Sequence, residues 1–214
     1  LLSIYLPMAR DVGLPDHMVL GHALRARLAF NAGDVDNALQ TLMELEHLGH
    51  VRRLPRLISA SHLERARIFM QQGNSQSARD ELQRATQIAQ PPELQNYRLL
   101  AQDVEYPELA QLRWQAGFGD AAAAAIDAAS RAIDAERQGR MRRAIKLRIL
   151  QAIAEHRAGH AGVALERIAH VLQTTCREGF LRLVLDEVPW IKPLLTSYLS
   201  RAQEPGFSDS DPIF

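Results

Sequence analysis

Two stretches decide how this chain folds: Ala26–Leu45, ARLAFNAGDVDNALQTLMEL, and Ala66–Ala85, ARIFMQQGNSQSARDELQRA. Laid over one another they share a small residue, a glycine seven positions on, an alanine twelve on and an aliphatic residue sixteen on. The arrangement recurs around two further glycines, so Gly33, Gly73, Gly117 and Gly159 mark four copies at spacings of 40, 44 and 42 residues. Ala26, Ala66, Ala110 and Ala152 precede the glycines, and Ala38, Ala78, Ala122 and Ala164 follow them. Leu42, Leu82, Ile126 and Ile168 come next, then Leu45, Ala85, Ala129 and Val171. A period of this length is the mark of a helical array.

The pattern has a physical meaning. Glycine ends a helix because it enters the left-handed region without a Cβ clash. The next helix begins within one to three residues, so the two run antiparallel and close. Alanines on either side of the turn face each other, since larger side chains would force the axes apart. Asp34, Asn74 and Asp120 stand where an N-cap or first-turn carboxylate is favoured. The spacing predicts helices near 16–32 and 34–49, 56–72 and 75–90, 96–116 and 119–138, and 141–158 and 161–177. Pro55 and the Pro91–Pro92 pair separate repeats, because proline removes a hydrogen bond from a helix interior. Pro107 falls inside the third repeat's first helix, which therefore either starts there or kinks.

A single pair cannot bury both of its faces, so the pairs must stack. The expected fold is all-α: a right-handed α-α superhelix, a solenoid of four long helix pairs with a short C-terminal helical cap. It covers residues 1–203, with repeats over 16–50, 55–90, 96–138 and 141–177. The cap spans 178–203 and has short helices near 180–187 and 191–202. The Pro-, Gly-, Ser- and Asp-rich stretch 204–214 is expected to be a disordered tail.

Composition narrows the function. The chain has 214 residues, with 25 basic against 25 acidic side chains and 47% hydrophobic residues. Nucleic-acid-binding domains draw affinity from a basic excess, and none is present, so direct nucleic-acid contact is not expected. The basic runs Arg52, Arg53, Arg56 and Arg140, Arg142, Arg143, Lys146, Arg148 read as solvated helix faces. Cys176 is the only cysteine, which fits a reducing compartment, and a cytoplasmic location is expected. No apolar run approaches the length that spans a bilayer, so no membrane partner is expected. The chain opens at Leu1 in an apolar stretch, which reads as a piece of a longer protein.

The small–glycine–alanine–aliphatic pattern is similar to the tetratricopeptide repeat, whose period is about 34 residues. The longer period here, and His22 and His62 where that repeat prefers tryptophan, depart from it. The long-period form resembles the helical sensor region of the MalT-like regulators, ATP-dependent transcription factors of the LuxR family. Glu178, Gly179, Phe180, Asp186, Glu187, Leu194 and Leu195 match the segment that closes their superhelix. The resemblance implies an ATPase domain upstream and a helix-turn-helix downstream, neither present in this sequence. ATP would then bind the absent domain, and no cofactor is expected in this piece. It further implies that the chain senses a small-molecule inducer or a regulatory protein and passes the signal to other domains of the same chain. A stand-alone adaptor that binds a protein partner is the alternative. Neutral charge and exposed repeat ends allow self-association.

Enzyme signals are weak. Cys176 has no histidine at motif spacing, no Gly-x-Ser-x-Gly elbow occurs, and no phosphate loop occurs. His156 and His160 have the spacing of two ligands on a helical face, but Gly159 breaks that face. Neither catalytic residues nor a metal site are expected. The first helix of each pair should line a concave groove. Counting back from the glycines places Phe30, Met70, Trp114 and His156 in one row there. Asn31, Gln71, Gln115 and Arg157 form a second row, with Arg27, Arg67 and Gln111 beside them. Such a groove suits a ligand with apolar faces and hydrogen-bonding groups, a sugar or a peptide. The apolar row also admits a second reading, as packing between repeats.

Overall fold

A computed structural model describes residues 4–5, 7–8, 14–88 and 105–202. Among the described residues there are helices and turns and no strand. The helices are α1 (Pro15–Asn31), α2 (Val35–Arg52), α3 (Pro55–Gln71), α4 (Ser75–Gln87), α5 (Pro107–Phe118), α6 (Ala121–Arg137), α7 (Met141–Arg157), α8 (Ala161–Glu178), α9 (Leu181–Leu185) and α10 (Ile191–Ala202). The chain divides into two compact units, residues 1–111 and 112–214. In the first, α1, α2, α3 and α4 pack as consecutive neighbours, and in the second α6, α7 and α8 do so, with α9 and α10 against α7 and α8. The all-α paired-helix architecture read from the repeat is what forms.

Three of the four glycine turns are built alike. Gly33, Gly73 and Gly159 have φ of 84°, 77° and 87°, a region that costs a residue with a Cβ about 1–2 kcal/mol. Each turn carries the paired bonds of a helix C-cap: Gly33 N–H donates to Phe30 O at 3.0 Å and Asp34 N–H to Ala29 O at 2.9 Å. Asn74 N–H to Phe69 O and His160 N–H to Glu155 O, both 2.9 Å, repeat the second bond. The next helix starts at once, because Asp34 and Asn74 side chains accept from the N–H groups of Asn37 and Ser77, each at 3.1 Å. Ala26, Ala38, Ala66, Ala78, Ala152 and Ala164 are buried, as expected of residues that let the helices approach.

The third repeat bears on the sequence reading twice. First, of the two alternatives left open at Pro107, a start or a kink, the structure has the start: the described helix begins there, preceded by non-helical Glu105 and Tyr106. Proline supplies the first helical turn here as Pro15 and Pro55 do in α1 and α3, where its missing N–H has no partner to lose. Residues 89–104 lie outside the described set, as does the tail 204–214. Second, Gly117 does not end its helix. It is buried inside α5, and the turn falls at Gly119–Asp120. The Asp120 side chain accepts from Ala123 N–H at 3.0 Å, so Asp120 matches Asp34 and Asn74. The buried stripe of α6 is consequently Ala124, Ala128, Ala132 and Ala135, while Ala122 is exposed and Ile126 is 73% exposed. Leu42, Leu82 and Ile168, at the expected depth in the other repeats, are buried.

Candidate functional site

Helices α3 and α7 are each flanked by neighbours and are buried over most of their surface. Charged side chains on them therefore face other helices, and a desolvated charge must be paired. In the first unit Glu64 of α3 is buried, and Arg27 of α1 grips it with both Nε, at 2.9 Å, and a terminal nitrogen. Glu105 N–H donates to the same carboxylate at 3.4 Å. Burial alone would push the Glu64 carboxyl up. The Arg27 charge and hydrogen bonds, with the Arg67 charge and the Glu105 amide, outweigh it and hold the carboxyl below its ordinary value.

A second cluster ties α2, α3 and α4 together. Glu81 of α4 accepts from Arg65 Nε at 3.0 Å and from Arg84 at 2.8 Å, and its Oε2 stands 2.7 Å from His62 Nδ1. Arg65 also donates to Glu46 of α2 at 2.6 Å. Burial again opposes ionisation of Glu81, and the His62 and Arg65 hydrogen bonds and charges overcome it. These bonds join α2, α3 and α4 through charges that burial would otherwise penalise.

In the second unit Arg113 of α5 meets Glu187, between α9 and α10, through two bonds of 2.9 and 2.7 Å, with both side chains 3% exposed. Beside this pair Trp114, Phe118 and Trp190 form an aromatic group. Phe118 and Trp190 lie edge to face with centroids 5.5 Å apart, and Trp114 lies 6.4 Å from Phe118. A polar chain crosses α6, α7 and α8. Arg148 holds Glu136 through bonds of 3.0 and 3.1 Å and donates to Gln151 at 3.1 Å. Gln151 donates to Glu155 at 2.9 Å, and Glu155 accepts from Arg167 at 2.7 Å. Above that chain lies a groove of about 530 Å³, lined by Glu136, Arg148, Arg167 and His170 with Met141 and Val163 among its apolar walls. The sequence reading missed this groove. It is lined by second helices as well as a first, whereas the repeat pattern points to first helices alone.

The residues picked from the sequence are distributed as follows. Phe30 is half-buried against Ala26, Ala38, Leu42 and Ile68, and Met70 is fully buried. Arg27 is spent on Glu64, and Arg67 is buried beside it. Asn31 and Gln111 are exposed and Gln71 is half-buried. Trp114 joins the aromatic group. The Gln115 side chain accepts the Asp120 amide at 3.3 Å, doing for this turn what a backbone carbonyl does in the others. His156 is half-buried in the last turn of α7, and Arg157, exposed, donates to Ala116 O. Among the described residues no group of three or more His, Cys, Asp or Glu is placed to hold a metal ion. No helix among them is long and apolar enough to cross a membrane.

No curated protein and no solved structure matches the chain. The family described as the MalT-like TPR region matches residues 6–201, which takes in every helix from α1 to α9 and all but the last residue of α10. With that span matched and the paired helices in place, the chain belongs to the MalT-like TPR family.

Proposed function

We propose that this chain is the sensing region of a MalT-like, LuxR-family transcriptional regulator, acting in the cytoplasm. It would couple a small-molecule inducer or a regulatory protein to an ATPase domain and a DNA-binding domain elsewhere in the full protein. The observation that carries this reading is the family match over residues 6–201. Two features of the geometry support it. Stacked helix pairs respond to a ligand by changing how neighbours pack, and the helices here are joined by ion pairs with defined geometry. The second unit also offers a groove whose wall mixes charged, imidazole and aliphatic side chains, the mixture that orients a small polar ligand.

Calorimetric titration of the chain with oligosaccharides and small metabolites tests the proposal, repeated on Trp114→Ala and Met141→Ala. The expected result is one saturable ligand whose affinity falls about tenfold, roughly 1.4 kcal/mol, in one of the two variants. Unchanged affinity in both removes these surfaces from the account. If no small ligand binds and a specific protein does, the regulatory protein takes the place of the inducer; the adaptor reading replaces the regulator only if the full protein carries neither an ATPase nor a DNA-binding domain.

A further inference from the structure

The segment between α9 and α10 is held in an unusual way. Leu185 and Val188 are 57% and 43% exposed, while Leu183 and Val184 before the stretch and Ile191 after it are buried. Asp186 is turned back onto Arg182 of α9 at 2.7 Å. Glu187, clasped by Arg113, and Trp190, seated on Phe118 and on Gly117, join the stretch to α5. A Cβ on Gly117 would come within 2.8 Å of the Trp190 ring, so the bare helix backbone is part of the seat. Arg113 and Phe118 lie five positions apart on α5, with Gly117 between them. Together they present a guanidinium fork, a flat backbone patch and an aromatic edge.

A desolvated Arg–Glu pair is generally matched by apolar side chains of the same volume, and what it adds is recognition of one carboxylate in one geometry. The aromatic seat likewise rewards one ring in one orientation. We propose that Arg113, Gly117 and Phe118 form a recognition site for an acidic–aromatic peptide, a carboxylate followed three residues later by an aromatic ring, and that residues 186–190 are its resident occupant. A partner segment with the same two groups then competes with the chain's own. The exchange frees Glu187 and Trp190 and loosens the hold of α5 on residues 186–190. The site stands whether or not a small-molecule inducer exists.

The probe is the acetylated, amidated and fluorescein-labelled peptide LDEVPWIK, corresponding to residues 185–192. It is titrated by anisotropy onto the whole chain and onto the vacated variant Glu187→Ala/Trp190→Ala. Saturable binding is expected for the vacated variant, with at least about tenfold weaker binding to wild type, where the occupant is covalently tethered. Adding Arg113→Ala to the vacated variant, or replacing the peptide glutamate by alanine, should weaken binding by about tenfold or more. Should the double variant lose its helical signal, Glu187→Gln/Trp190→Ala, which removes the resident charge and ring but leaves Arg113 a hydrogen-bond acceptor, carries the same comparison. Independently, Gly117→Ala in the otherwise native chain should drive Trp190 from its seat. The two tryptophans of the chain, Trp114 and Trp190, both belong to this group, so their emission should shift red and quench more readily with helicity retained. No binding to the vacated variant, equal binding to wild type, or unaltered emission in Gly117→Ala would each overturn the proposal.

Discussion

The register of α6 can be tested by removing two isoleucines that the repeat pattern treats as equivalent. Ile126 and Ile168 both stand nine residues after a glycine of the sequence repeat, yet Ile168 is fully buried and Ile126 is 73% exposed. Ile168→Ala deletes three buried carbons and leaves a cavity, at a cost of roughly 2–5 kcal/mol. Ile126→Ala deletes the same carbons from a surface in contact with water. Little burial is lost, and alanine is the better helix former by a few tenths of a kcal/mol, so the net change should lie within about ±0.5 kcal/mol. Both residues belong to the second compact unit, so both are read in the same unfolding transition and the comparison does not need the whole chain to be two-state. Urea unfolding followed by circular dichroism at fixed temperature gives the two shifts. A loss of about 2 kcal/mol or more in Ile126→Ala would refute the reasoning, because it would mean that the Gly117 register, with Ile126 inward, is the one that packs.

Three further outcomes follow from the same contacts. Glu64 and Glu81 have folded carboxyls held below the ordinary value of 4.5, so their contribution is fully present above that pH and fades as the pH falls through the folded values. Glu64→Gln should cost roughly 3 kcal/mol at pH 7, and its stability should depend less on pH between neutrality and the acid limb, as denaturation across a pH series will show. Arg53 ends α2 in the left-handed region at φ 54°, so Arg53→Gly should raise the melting temperature of the first unit, whereas Gly73→Ala should lower it by the equivalent of about 1–2 kcal/mol. His160 occupies the N-cap of α8 with no side-chain cap bond, and His160→Asp should add about 0.5–1 kcal/mol to the second unit, measured in the same denaturation experiment.

Three of the four glycine turns were legible: at Gly33 and Gly73 the glycine, the cap residue after it and an alanine at a fixed distance agree, and at Gly159, where His160 makes no side-chain cap bond, the glycine and Ala164 suffice. The third failed for a physical reason. Residues 121–125 are all alanine, and Ala128 and Ala129 follow, so a stripe of small residues fits α6 in two registers. Only the cap breaks the tie. Aligning Asp120 with Asp34 and Asn74 puts Ala124 where Ala38 and Ala78 stand, and the burial follows that alignment.

The site was less legible than the fold. Arg27 and Arg67 read along the chain as lining of a ligand groove, yet α3 lies among α1, α2 and α4, and Arg27 reaches Glu64 of α3 instead. The partners are remote in sequence, Arg27 and Glu64 by 37 residues and Arg113 and Glu187 by 74, so no local pattern announces them. The Phe30 and Met70 row is packing in the structure, and Trp114 is half-covered by the chain's own aromatic residues. In the sequence Glu187 stands out only as part of the closing segment; its pairing with Arg113 is set by the fold.

The account depends on helices that touch through alanine methyls across the glycine turns. Methyl-resolved Overhauser spectra of the chain labelled at alanine test that contact directly. Ala26 and Ala38, which share one cluster with Leu42 and Ile68, should show cross-peaks to one another's helices, and Ala66, Ala78, Ala152 and Ala164 should do the same in their own pairs. Cross-peaks confined to each alanine's own helix would contradict it.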